Sequence, residues 1–144
     1  MTERIFPFVT NLISEYGTRD PFELCRLCGV SVVFAELPPS VDGFYMETEG
    51  KQAIVLSNSL SGIRKHFCAA HELGHALLHR SLNSIFISEN TQLPVGRYER
   101  EADIFAAALV LGDENSVNAE QLCKAVGIPK PVIESYLSYI YKSA

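Results

Sequence analysis

The sequence contains no apolar run approaching the ~18 residues that a bilayer-spanning helix needs. Its first residues, Met1 to Pro7, lack the basic segment, apolar stretch and small-residue cleavage site of a secretory signal, so a cytoplasmic protein is expected. Basic clusters are equally scarce. The longest is Arg64-Lys65-His66, and the formal net charge is -5. A surface that clamps nucleic acid needs a clustered basic face to meet phosphates, so direct nucleic-acid binding is not expected. Cysteines number only 4, without the second C-x-x-C pair that a zinc ribbon would need. Cys25 and Cys28 form a single C-x-x-C beside Leu24 and Leu27, while Cys68 and Cys123 stand alone. All four read as reduced thiols, with Cys25 and Cys28 packing as small apolar side chains. Internal repeats, low-complexity tracts and linkers are absent too.

What is present fits one domain over residues 1–144, with 47% apolar and 20% charged residues. Ile5, Phe8, Val9, Leu12, Ile13 and Tyr16 recur at helical spacing, and Gly17 ends that helix. Asp20-Pro21-Phe22-Glu23 reads as a second helix start, with Asp20 as cap, Pro21 at the first position and Glu23 reaching back. Gly29 closes it. Val30–Glu36 is β-branched and predicts a strand. Gly43–Thr48 and Lys51–Ser57 predict an antiparallel hairpin turned at Glu49-Gly50. A long helix is expected from about Leu60 to His79, and a second from about Arg97 to Leu111. The stretch from Arg80 to Gly96 between them is polar and long for a connection. Two terminal helices are expected over 118–125 and 131–141. The architecture predicted is α+β, with a small antiparallel sheet of about three strands packed against helices.

All 4 histidines lie between positions 66 and 79. His71-Glu72-Leu73-Gly74-His75 has the H-E-x-x-H pattern on the first long helix. Residues four apart share a helix face, so His71 and His75 can converge on one zinc ion. Phe67, Ala70, Leu73 and Leu77 form an apolar stripe beside them. Glu72 is offset from both histidines and is placed to act as base toward a zinc-activated water. A catalytic zinc site usually takes three protein ligands, so a third must come from elsewhere. Glu99 and Asp103 share a face at the start of the next long helix. Glu99 is the candidate third ligand, and Asp103 the acceptor that orients a histidine through its free ring nitrogen. Glu101 points to another side and is the weaker acid. Tyr98, one of 6 tyrosines, is a candidate oxyanion stabiliser. His79 is set aside as a ligand because about 12 Å of helix separates it from His71. It reads as a helix-end residue favoured by the dipole. His66 points elsewhere.

On these residues the sequence resembles the ImmA/IrrE family of metallo-endopeptidases. The matching stretches are Ile54 to Asn58, Arg64 to His79 and Glu99 to Leu109, with Gly43 and the strand after it. They span from about Cys25 to the C-terminus. The resemblance implies a zincin-like fold with the H-E-x-x-H on a central helix. His71 and His75 fall on the family's zinc histidines and Glu72 on its catalytic glutamate. Glu99 falls on its acidic ligand, and Asp103 on the Asn/Asp that follows. It also implies a zinc endopeptidase whose protein substrate is a helix-turn-helix repressor, so that cleavage relieves repression. Leu109-Val110-Leu111-Gly112 departs from the family's Leu-Leu-Met-Pro-like end and leaves the metal residues untouched. An extended substrate is expected to add to a sheet edge within Gly43–Ser57. The rival reading is a catalytically silent regulator of the same fold that binds a partner protein, and an intact Glu72 argues against it.

Overall fold

The computed structural model describes residues 4–80 and 95–111, with the single positions 131, 134 and 138. The expected helix over 118–125, all but those three positions of the one over 131–141, Cys123, Gly112 and most of the 80–96 connection lie outside the described residues. Helix α1 runs Ile5–Tyr16 and α2 Pro21–Cys28. Three strands follow, β1 Val30–Ala35, β2 Gly43–Thr48 and β3 Lys51–Ser57. The long helices are α3 Gly62–Leu78 and α4 Val95–Leu111.

Local chemistry explains most of these boundaries. Gly17 takes a left-handed conformation and returns its N–H to Ile13 at 2.7 Å, closing α1. The Asp20 carboxylate accepts from the Phe22 N–H at 2.9 Å, and Pro21 occupies the first helical position. Glu23 does not complete a capping box; its carboxylate pairs with Arg26 one turn along. The two-residue turn between β2 and β3 places Glu49 at φ 52 and Gly50 at φ 77, as tight hairpins require.

The α+β class is as expected, but the sheet is mixed, in the order β1-β3-β2. Strand β2 is antiparallel to β3, whereas β1 is parallel to it. Register gives the reason. Ala35 at the end of β1 lies beside Ser57, and Gly43 at the start of β2 lies beside Leu56. The segment 36–42 therefore carries the chain over the end of β3 to its far side. The hairpin then returns β3 between the other two strands, in the direction of β1. Among the described residues only β1 and β2 keep an outer edge.

Helix α3 packs against the sheet, α2 and α4. Leu24, Tyr45, Ile54, Leu56, Leu73, Ile104, Phe105 and Leu109 are fully buried. Each such aliphatic or aromatic side chain contributes ~1.5–3 kcal/mol by leaving water. Gln52 on β3 ties the sheet to the end of α3. Its amide donates to the Ala76 carbonyl at 2.7 Å and to the Tyr45 hydroxyl at 2.9 Å. Two glycines mark close approaches. A Cβ at Gly43 would stand 2.7 Å from the Val55 carbonyl oxygen, so only glycine fits where β2 begins. A Cβ at Gly74 would stand 3.0 Å from Phe105 Cδ1. The nearest neighbour at Gly74 is thus an aromatic ring of α4. No helix among the described residues is long and apolar enough to cross a membrane.

Candidate metal centre

Helix α3 presents His71 and His75 one turn apart, with ring centroids 4.9 Å apart and planes at 84°. Close packing of α3 on α4 sets Glu99 opposite both rings. Glu99 Oε2 lies 3.1 Å from His71 Nε2, and Oε1 lies 2.9 Å from His75 Nε2. One ligand atom from each of the three residues falls within 4.8 Å of the others. A tetrahedral site with bonds of ~2.0–2.1 Å has ligand–ligand edges of about 3.3 Å. The two nitrogen–oxygen separations, one to each oxygen of Glu99, are close to that, and two imidazoles with one carboxylate form a catalytic-type donor set. The residues present therefore fit a divalent metal ion.

The outer ring nitrogens are held as well. His71 Nδ1–H donates to Asp103 Oδ1 at 2.8 Å. His75 Nδ1 faces His79 Nδ1 at 3.0 Å, and His79 Nε2–H donates to Glu101 Oε1 at 2.9 Å. Sequence reasoning missed this second arrangement. His79 does cap the C-terminal end of α3, but it is buried, and Glu101, set aside as pointing away, is its acceptor. The usable signal was the i, i+4 step from His75 to His79, which puts both rings on one face.

Burial disfavours charge on His71, but the hydrogen bonds to Asp103 and Glu99 outweigh it and raise its pKa well above the ordinary value. Burial dominates at His75 and lowers its pKa, with Glu99 offsetting only part. His79 is lowered in the same way, against the pull of Glu101. Burial opposes ionisation of Glu99, yet the hydrogen bonds from His71 and His75 hold its carboxyl well below the usual carboxylate range.

A cleft of about 290 Å³ reaches this centre at His71 and Glu72. Ser40, Asp42, Gly43, Arg64, His71 and Glu72 line it, so the crossing segment and the start of β2 form its wall. Glu72 is itself buried, at 5% exposure. On the rim, Arg64 Nη2 donates to both Asp42 carboxylate oxygens, at 2.7 and 3.0 Å. Tyr98 is not among the residues lining this cleft. Its ring packs edge-on against His79 at 4.8 Å, and it lines a second cleft with Arg97 and Glu101. The oxyanion role considered for Tyr98 is therefore not assigned. His66 is exposed and packs edge-on against Phe22. Cys25 and Cys68 are buried free thiols, pushed up to about 12 by burial, and Cys28 is half-buried.

Residues 25–121 match the family described as the IrrE N-terminal-like domain, a peptidase family. The chain belongs to the ImmA/IrrE family. It is similar to "Uncharacterized immunity region protein 2" of Bacillus phage phi105, with 37% identity over 105 residues. That match covers 73% of this chain and 66% of the phage protein, so it spans slightly less than two thirds of that relative. It is also similar to "Metallopeptidase ImmA" of Bacillus subtilis (strain 168), with 23% identity over 141 residues, covering 92% of this chain and 83% of that protein. ImmA/IrrE membership agrees with a metallopeptidase-like centre and with the zincin-like α+β fold.

Proposed function

We propose that this protein is a zinc-dependent endopeptidase of the cytoplasm that cleaves a helix-turn-helix repressor and so relieves repression. The observation that carries the reading is the convergence of His71, His75 and Glu99, with ligand atoms within 4.8 Å of one another, next to a cleft that His71 and Glu72 line. His71, His75 and Glu99 would hold one zinc ion, with Asp103 orienting His71. Zinc there would supply Lewis acidity, polarising the scissile carbonyl and acidifying water.

The other steps belong to the chain's own groups. Glu72 takes a proton from the attacking water and later delivers it to the leaving amine. Burial of Glu72 keeps bulk solvent from competing for that proton. The substrate adds as an extended strand to the outer edge of β2, since β3 is paired on both sides and the cleft wall begins at Gly43. A repressor substrate is favoured by the relatives, one named for a phage immunity region and one named a metallopeptidase.

The test is incubation of zinc-loaded protein with the repressor encoded beside its gene, followed by mass spectrometry of fragments. Wild type should yield discrete fragments. Glu72→Gln should keep its zinc and lose at least ~100-fold in cleavage rate. Unchanged control of the repressor by Glu72→Gln would replace the peptidase reading with a silent binding regulator.

A further inference from the structure

His75 differs from His71 in what stands behind it. Its Nδ1 meets a second imidazole, that of His79, and only beyond that ring does a carboxylate follow, Glu101 at 2.9 Å. His79 and Glu101 are both buried. Beyond Glu101, Oε2 lies 3.8 Å from Arg97 Nε at the margin of the second cleft.

The chemistry of the last member sets the direction of the whole row. An ionised carboxylate only accepts, so His79 Nε2 must carry the proton that points at Glu101. A neutral His79 then has a bare Nδ1, which accepts. His75 must therefore carry its proton on Nδ1 and donate it to His79. With the Nδ1 proton so held, His75 Nε2, 2.9 Å from Glu99 Oε1, is the ring nitrogen that would give up its own proton and present a lone pair to a metal ion.

We propose that His79 and Glu101 are positioning residues for His75: the buried His75–His79–Glu101 row locks the His75 ring and tautomer so that Nε2 is presented to the metal. The inference rests on the reading of His71, His75 and Glu99 as the metal site. It adds an orienting arm for the second histidine, comparable to the one Asp103 provides for the first. Ligand histidines lose metal affinity when such partners are removed, typically 10–100-fold.

Zinc affinity by chelator competition, the melting temperature of the metal-free protein and the ¹⁵N-resolved side-chain spectrum of zinc-loaded His75 test this together. His79→Phe keeps a ring but removes the acceptor. It should bind zinc roughly 10–100-fold more weakly and shift or lose the His75 Nδ1–H signal, with the metal-free melting temperature little changed. His79→Gln restores a carbonyl acceptor and should recover most of the affinity. Wild-type zinc affinity in His79→Phe, or no recovery in His79→Gln, would overturn the proposal. Should His79→Phe not fold, Glu101→Leu is read the same way: weakened zinc binding and a disturbed His75 signal support it, and wild-type values overturn it. Failure of the wild type to bind zinc would instead sink the metal site itself.

Discussion

His71 and His75 occupy the same face of α3, one turn apart, and meet the same carboxylate, yet their surroundings differ. His71 is backed directly by Asp103, and its side chain keeps 14% exposure toward the cleft. His75 is fully buried and is backed by His79 and then Glu101. The consequence is opposite electrostatics one turn apart. Two adjacent carboxylates outweigh burial at His71 and raise its pKa, while burial wins at His75 and lowers it. Glu99 lies beside both rings, so the hydrogen bond to the second carboxylate, Asp103, is what separates them. The cleft-side histidine is held by charge, and the inner one by a relayed hydrogen bond.

The largest effect should come from removing either ring. His71→Ala and His75→Ala should each abolish stoichiometric zinc binding, measured as zinc content after dialysis, because two ligands do not hold the ion. Retention of one zinc by either variant would break the symmetry of the two as ligands. Next in size is the direct arm. Asp103→Ala should weaken zinc binding by about 10–100-fold, and Asp103→Asn, which keeps an acceptor for His71 Nδ1–H, by less. An equal loss in both would mean that charge rather than orientation matters at Asp103.

The opposite pKa directions give a pH test. The raised pKa of metal-free His71 adds stability that is fully present below the unfolded value of about 6.5 and is lost as pH rises through the folded pKa. The depressed pKa of Glu99 acts in the other sense. Its contribution is present above the unfolded value of about 4.3 and is lost as pH falls through the folded pKa. Zinc must displace the His71 proton, so affinity should rise with pH up to the folded pKa of His71, and calorimetry in buffers of different ionisation enthalpy should detect proton release. Affinity independent of pH across that window would contradict the assignment. Smaller again is the helix contact that brings the acids to the histidines. Gly74→Ala should cost about 1–3 kcal/mol in thermal unfolding by crowding Phe105. Phe105→Leu in the same chain should recover part of it. The exposed Arg64–Asp42 pair on the cleft rim should matter least, with Arg64→Ala changing stability by under about 1 kcal/mol.

Much of this arrangement was legible in the residues. The Asp20-Pro21 start, the Glu49-Gly50 turn and the four-residue spacings of His71–His75 and Glu99–Asp103 each have a local cause, and local causes survive into the fold. The parallel pairing of β1 with β3 was not legible. It depends on the crossing of 36–42 over the end of β3, which no pattern within a strand encodes. The role of His79 was misread for a related reason. Its distance from His71 rules it out as a ligand, but its burial depends on how α4 lies across α3. Glu101 was passed over because helical phase places it off the Glu99–Asp103 face, and the partner waiting there, His79, comes from another helix. Phe105 against Gly74 likewise is a contact between elements that composition alone does not pair.

X-ray absorption at the zinc edge, on protein loaded with one equivalent, tests the central claim most directly. The account predicts two imidazole nitrogens with the remaining ligands oxygen. Sulfur in the shell, or a third imidazole from His79, would contradict it.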